Sequence, residues 1–425
     1  MATTMIVTMI VLLLAGFPMM VPLIAATLIA FVIYLPIGPE IMIQQMLAGI
    51  RPSALIAVPM FILAADIITK GKSADRLINM VMRFVGHMRG GLGIATAASC
   101  TLFGAVSGST QATVVAIGGP LRPRMLKSGY SDSFTLALIV NSSDIAMLIP
   151  PSIAMIIYGV VSGTSISELF IAGVGPGLLI LVLFSIYAYI YARRHDIPTE
   201  PKASWSERVA AVGAAVWPLG FPVIVVGGIY GGIFSPTEAA SVCVGYALIL
   251  EMLIFRSLKV TDIYEIAKST GLITAVVFIL VAAGAGFSWV ISFERIPQMI
   301  LGALGLAEAG PYTVLIAISI AFFVGCMFVD PIVVILVLTP IFAPLVSGLG
   351  LDPVLVGTII TLQVAIGSAT PPFGCDIFTA IAIFKRPYWE VIRGTPVFIL
   401  ILLSVSALLI VFPQIALFPR DLAFR

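Results

Sequence analysis

Residues Phe103 to Ser152 read FGAVSGSTQATVVAIGGPLRPRMLKSGYSDSFTLALIVNSSDIAMLIPPS, and this stretch decides the fold. Gly104, Ser107, Gly108, Ser109, Thr110 and Gln111 interrupt one hydrophobic run, while Asn141, Ser142, Ser143, Asp144 and the pair Pro150-Pro151 interrupt the next. Backbone groups released from a helix inside hydrocarbon have no water to bond, so such breaks persist only where they are buried in protein or line a cavity. Two breaks this close point to one cavity.

The pattern returns from Phe323 to Gly374 as FVGCMFVDPIVVILVLTPIFAPLVSGLGLDPVLVGTIITLQVAIGSATPPFG. Gly104 pairs with Gly325, Gly129 with Gly350, Pro150 with Pro371 and Pro151 with Pro372, each 221 positions apart (325 minus 104 for the first). Upstream, Phe61-Ile62-Leu63 matches Phe278-Ile279-Leu280 at 217, and Asp75-Arg76 matches Glu294-Arg295 at 219. The chain is a duplication, and paired interrupted segments in two halves are the sequence pointer to the binding site of a secondary transporter.

Composition agrees. Of 425 residues, 60% are apolar and 10% charged, with a mean hydropathy of +1.17, whereas soluble domains carry about a quarter charged residues. The chain is a polytopic membrane protein in contact with lipid. A net charge of +2 argues against a nucleic-acid partner. Cys100, Cys243, Cys326 and Cys375 lie in apolar segments without CxxC spacing, and His87 and His195 sit in basic loops, so no zinc site is expected. No P-loop or nucleophile elbow occurs, so neither an enzyme nor an organic cofactor is expected.

Charge sets the topology. Five basic residues between 70 and 89 accompany Leu77, Ile78, Val81, Phe84 and Val85 at helical spacing, which predicts a cytoplasmic amphipathic arm. Its counterpart at about 293–311 carries one basic residue, Arg295, and belongs outside. Arg122, Arg124 and Lys127 follow the first broken stretch, whereas residues 341–353 have no basic residue. The expected fold is therefore all-α, with two inverted-topology repeats that each hold a re-entrant helical hairpin and a broken helix. Residues 1–192 form the first repeat, with a hairpin at about 90–121 and a broken helix at about 133–161. After a cytoplasmic linker at 193–212, residues 213–425 form the second, with a hairpin at about 312–345, a broken helix at about 354–384 and a last span at about 395–413. Ten full spans and two hairpins place both termini outside, against which Arg420 and Arg425 weigh slightly. Residues 5–34 read either as two helices broken near Pro18 or as one long tilted helix. Ser204 and Glu207 have capping-box spacing.

The breaks offer oxygen ligands and half-helix ends at the midplane, suited to a hard monovalent cation and to a carboxylate. Two symmetry-related sodium sites are expected. One uses Ser107, Gly108 and Ser109 with Asn141, Ser142 and Ser143; the other uses Gly325 and Asp330 with Gly367, Ser368 and Thr370. Ser109, Thr110, Ser143 and Asp330 are the substrate candidates, and intramembrane acids such as Asp330 and Asp144 are functional by default. Asp66, Glu238 and Asp376 are expected near interfaces, and Trp205, Trp217, Trp289 and Trp389 as belt anchors. The hairpin tips carry no arginine to fix a second carboxylate, which favours a sugar acid over a dicarboxylate.

GSTQATVVAIGGPLRPRM at 108–125, GGIYGGIFSPTEAA at 227–240 and ATPPFG at 369–374 resemble the large membrane subunit of tripartite ATP-independent periplasmic (TRAP) transporters, most of all the sialic-acid-transporting members. The resemblance implies a sodium-coupled importer of N-acetylneuraminate in a bacterial inner membrane, working as an elevator, with the 70–89 arm as a hinge support. It also implies two partners: a small four-helix membrane subunit, here a separate polypeptide, and a periplasmic substrate-binding protein. By position it assigns sodium to Ser107–Ser109 with Asn141–Ser143 and to Gly325, Gly367 and Thr370, and substrate to Ser109 and Asp330. C4-dicarboxylate transport, a single-component sodium carboxylate carrier and, more remotely, an ion channel on two re-entrant loops remain alternatives.

Overall fold

In the computed structural model residues 1–306 and 308–424 are described; Ala307, within the expected outer arm, and Arg425 lie outside the described residues. Every regular element among the described residues is helical. Helix Ala2–Leu14 ends at Gly16, whose φ of +83° only glycine adopts freely, and the chain restarts after Pro18 as Met20–Ile29. The first apolar run is thus two helices.

Ala57–Lys70 packs against Pro236–Leu248, and the long helix Val260–Phe293 packs against Glu40–Gly49, together forming a scaffold. The helices of that second pair come close enough that a Cβ on Gly49 would lie 2.3 Å from the Ala285 Cβ. The first amphipathic arm is the helix Ser73–Val85, with Leu77, Ile78, Val81 and Met82 buried. Phe84 departs from the expected apolar face: it is exposed, and the Arg208 guanidinium lies 5.7 Å from its ring. Its counterpart in the second repeat is the shorter helix Ile296–Ala303.

Each repeat then runs through a hairpin and a broken helix. The first hairpin is Gly91–Ser107 and Thr110–Lys127; the second is Pro311–Cys326 and Pro331–Gly348. The first broken helix is Asp132–Ser143, a 3-10 turn at Asp144–Met147, then Ile153–Ser162; the second is Pro353–Ser368 and Cys375–Phe384. Both Pro-Pro bonds, Pro150-Pro151 and Pro371-Pro372, are cis. Among the described residues five helices are long and apolar enough to cross a membrane, or up to seven if each bent pair is one span. The two broken helices account for part of the difference from ten, since they divide into pieces of 10 to 16 residues, each below span length, and the first apolar run adds the short helices Ala2–Leu14 and Met20–Tyr34. The fold is an all-α polytopic membrane fold of two inverted-topology repeats, each with a re-entrant hairpin and a broken helix.

Ser204 and Glu207 form the capping box, with Glu207 N–H donating to Ser204 Oγ at 3.2 Å and Ser204 N–H to Glu207 Oε2 at 2.7 Å. Trp205, Trp217 and Trp389 are exposed as belt residues should be. Trp289 is not. It is partly buried, stacked on Phe31 at 5.5 Å and Phe293 at 5.0 Å, because the scaffold helix that carries it turns that face inward.

Candidate substrate and coupling-ion site

Each hairpin tip packs on the break of its own repeat through glycine. A Cβ on Gly104 would lie 2.6 Å from the Ala146 Cα, and one on Gly108 would lie 2.3 Å from the Pro151 carbonyl oxygen. In the second repeat a Cβ on Gly367 would lie 2.5 Å from the Cys326 Cβ, and Phe373 N–H donates to the Met327 carbonyl at 3.1 Å. Small residues are required here because backbone meets backbone.

The tips also reach one another. A cavity of about 570 Å³ is lined by Ser107 to Gln111 from the first tip and Asp330 to Ile332 from the second. Ile153, Ala154, Cys375 and Thr379 from the outgoing halves of the broken helices also line it, as do Asp66 and the apolar Ile62, Val277 and Leu280 from the scaffold. Asp66 and Asp330 are its charged side chains, and no Lys, Arg or His among the described residues lines it. Ser109 and Asp330 are repeat equivalents, 221 positions apart, and each caps the second leg of its hairpin. Ala112 N–H donates to Ser109 Oγ at 3.4 Å, and Ile332 N–H donates to Asp330 Oδ1 at 2.9 Å.

Of the substrate candidates, Ser109, Thr110 and Asp330 line this cavity. Ser143 does not: it is fully buried and donates to the Val140 carbonyl at 2.6 Å, because it closes the last turn before the break. Ser107, Gly108 and Ser109 sit at the tip as expected, and Asn141, Ser142 and Ser143 are buried at the end of the helix before the break. Asn141 Nδ2 donates to the Ala137 carbonyl at 2.8 Å, which leaves Asn141 Oδ1, Ser142 Oγ and both oxygens of the fully buried Asp144 without a partner. Unpartnered buried acceptors of this kind are costly unless a ligand answers them. They are oxygens only, which suits sodium. No cluster of three or more His, Cys, Asp or Glu able to hold a metal occurs among the described residues.

The second cluster is arranged differently. Ser368 Oγ lies 2.7 Å from the Ala365 carbonyl and 2.8 Å from Asp376 Oδ2, and Thr370 Oγ1 donates to the Ile366 carbonyl at 2.6 Å. The Gly325 carbonyl accepts from Val329 N–H at 3.0 Å, and the residue lines a separate apolar cavity of about 310 Å³. The clusters are not copies in register. At the 221 offset, Asn141 to Ser143 fall opposite Leu362 to Val364, and Gly367 to Thr370 fall opposite Ala146 to Ile149.

Sequence reasoning misplaced two acids. Asp376 is fully buried, not interfacial; Thr110 Oγ1 donates to its Oδ1 at 2.7 Å, tying the first tip to the second break. Asp66 faces the cavity, with Thr270 Oγ1 donating to its Oδ2 at 2.8 Å. Each lies in an apolar helix and has a hydroxyl partner more than 200 residues away, Thr110 for Asp376 and Thr270 for Asp66, which local pattern does not signal. Glu238 is the ordinary capping-box acid beside Ser235.

Residues 6–415 match the family described as "Tripartite ATP-independent periplasmic transporter, DctM component". The chain is 75% identical to the ectoine/5-hydroxyectoine TRAP transporter large permease protein of Ruegeria pomeroyi and 73% identical to the ectoine TRAP transporter large permease protein of Halomonas elongata, over 100% of both chains in each case. It is 34% identical to the sialic acid TRAP transporter large permease protein of Vibrio cholerae, over 97% of this chain and 96% of that one. Among solved structures, the Alcanivorax borkumensis YdaH transporter superposes with a TM-score of 0.57 over 90% of each chain at 15% identity, a likeness of fold alone.

Proposed function

Since this chain belongs to the DctM component family of tripartite ATP-independent periplasmic transporters, and is a large permease subunit of the inner membrane with no enzymatic step, we propose that its cargo is ectoine or a close zwitterionic relative. The observation that carries this reading is the charge of the cavity: two carboxylates and no base among its described lining residues. Ectoine is a cyclic amidine bearing one carboxylate, so it brings a delocalised cation to meet those acids. Its carboxylate is suited to the helix N-terminus that begins at Thr110, where unpaired N–H groups favour an anion. A purely anionic sugar acid or a dicarboxylate would meet acids with no counter-charge. The relatives named for ectoine stand at 75% and 73% identity against 34% for the one named for sialic acid, so the sugar-acid expectation loses support on both counts.

Sodium coupling rests on the oxygen groups at the two breaks, the first with Asn141, Ser142 and Ser143 near Ser107 to Ser109, the second with Ser368, Thr370, Gly367 and Asp330. Elevator movement is supported by the tight tip-to-break packing, which lets hairpins and broken helices travel as one body. The cytoplasmic arm is fastened to the scaffold at its start. The buried Glu251 carboxylate accepts from Lys72 N–H at 3.0 Å, Ser73 N–H at 3.1 Å and Ser73 Oγ at 2.5 Å. A small membrane subunit and a periplasmic substrate-binding protein complete the machine.

The test is uptake of radiolabelled ectoine into proteoliposomes holding this chain with its small subunit. Uptake is expected only with an inward sodium gradient and the binding protein present. Sodium-dependent uptake of N-acetylneuraminate or a C4-dicarboxylate in place of ectoine would overturn the cargo. Ectoine uptake that is indifferent to sodium would overturn the coupling.

A further inference from the structure

We propose that Asp66 is a specificity-determining residue: from the scaffold it presents the carboxylate that receives the cationic end of a zwitterion held by the two hairpin tips. The inference rests on the cargo being zwitterionic and adds a residue outside both hairpins and both breaks to its recognition.

Asp66 lies near the end of Ala57–Lys70, among the buried apolar residues Phe61, Ile62, Ala65, Ile67 and Ile68. A carboxylate in a membrane helix is expensive to keep. Three observations say what it is kept for. It shares one cavity with Ser109, Thr110 and Asp330 of the two hairpin tips. Its Oδ2 is held by the Thr270 hydroxyl of the second scaffold helix, which fixes the side chain, while no group among the described residues donates to Oδ1. Finally, Lys70 lies one turn away, yet no ion pair within 4.0 Å among the described residues includes Asp66, so no contact with its own helix occupies the carboxylate.

Asp330 is committed differently, with Oδ1 bonded to Ile332 N–H as a helix cap. It moves with the tip, whereas Asp66 belongs to the scaffold. A zwitterion seated at the tips would turn its amidinium toward Asp66, and a cargo lacking the cation would meet two acids in one cavity with no base among its described lining residues. Asp66 thereby selects zwitterion over anion at the position where tip and scaffold meet. The competing structural role is a simple brace between Ala57–Lys70 and Val260–Phe293. The two roles separate cleanly, because Asp66→Asn keeps an oxygen for Thr270 and removes the charge, whereas Thr270→Val removes the brace and keeps the charge.

The experiment uses the purified complex of this chain with its small subunit, wild type and with Asp66→Asn, Asp66→Glu or Thr270→Val. Binding of radiolabelled ectoine in saturating sodium is read by scintillation proximity, with a ring carboxylate of similar size but no amidine as competitor. Loss of a charge-assisted bond predicts about a tenfold or greater rise in Kd for Asp66→Asn. The ring carboxylate should compete better against that variant, while Thr270→Val shifts Kd by about threefold or less and Asp66→Glu falls between. Monodispersity and thermal midpoint certify each variant, and if Asp66→Asn does not assemble, Asp66→Glu against Thr270→Val decides. Wild-type binding with an unchanged Kd in Asp66→Asn overturns the inference and leaves the cargo assignment standing. Equal losses in Asp66→Asn and Thr270→Val also overturn it, in favour of the brace. A wild type that binds the ring carboxylate and not ectoine overturns the cargo assignment, and the inference with it.

Discussion

At the first break Asn141 Oδ1, Ser142 Oγ and both Asp144 oxygens are buried without partners, whereas at the second the hydroxyls of Ser368 and Thr370 and both oxygens of Asp376 are engaged. The backbone plan is shared: a glycine-packed tip, an apolar helix, a gap, a Pro-Pro pair and a short outgoing helix. Duplication thus preserved the geometry that creates a site and let the polar contents diverge. The acid at one break is unanswered and the acid at the other is wired to two hydroxyls, although Gln363 Oε1, opposite Ser142, is also left without a partner, so the two acids are expected to respond differently to the same kind of substitution.

The largest effect should be common to both. Gly108→Val would drive a Cβ to 2.3 Å from the Pro151 carbonyl oxygen, at a residue whose φ is +60°, and Gly367→Val would drive one to 2.5 Å from the Cys326 Cβ and 2.8 Å from the Phe323 carbonyl oxygen. Main chain cannot move aside as a rotamer does, so both variants should lose uptake by about 100-fold or more, beyond the usual cost of an overpacked core. Sodium-driven uptake by the reconstituted complex checks this. Activity surviving in one variant alone would show that only one tip must stay seated on its break.

The next pair should break the symmetry. Asp144→Asn removes a buried carboxyl that no protein group answers, so the thermal midpoint without sodium should hold or rise, while sodium half-saturation for uptake should rise by about tenfold. Asp376→Ala instead strands the Thr110 hydroxyl, at about 1–3 kcal/mol for a buried group left unsatisfied, and leaves Ser368 only the Ala365 carbonyl. Its midpoint should fall with or without sodium. If Asp144→Asn destabilises as Asp376→Ala does, the first break is wired after all and the contrast fails.

How far the sequence carried this picture follows from what kind of signal each feature leaves. Gly104, Gly108 and the Pro-Pro pairs announce themselves because glycine and proline interrupt apolar runs, and their recurrence at one offset doubles the signal. Hairpins, broken helices and the arms were therefore legible, as was the placement of Ser109, Thr110 and Asp330 on one cavity. Side-chain partnership was not. Asp376 reads as an ordinary acid after a helix start until Thr110, 266 positions away in sequence, is seen bonded to it. Ser143 reads as part of a polar run, yet its neighbour Ser142 is the one left unpartnered, because which residue of a helical turn faces the gap depends on packing that composition does not encode. The five-residue displacement between Asn141 and the counterpart position of Gly367, at 146, shows the same limit. Symmetry located the breaks but not the ligands.

The smallest effect separates the two tips themselves. Ser109 and Asp330 occupy equivalent caps, but the Ser109 bond is long at 3.4 Å and the Asp330 bond is 2.9 Å. Losing an N-cap costs typically about 1 kcal/mol, and a long, neutral bond belongs at the low end of the range. Ser109→Ala should accordingly lower the thermal midpoint by only a degree or two, on the order of 0.5 kcal/mol. Asp330→Ser keeps a capping oxygen and turns the second tip into a chemical copy of the first, so its stability should stay within about 0.5 kcal/mol of wild type. Its affinity for a zwitterion should still fall several-fold, since the cavity then holds one carboxylate where it held two. A large midpoint loss with unchanged affinity in Asp330→Ser would mean that the second tip carries its acid for the helix and not for the cargo. The two tips would then differ only in how firmly they are capped.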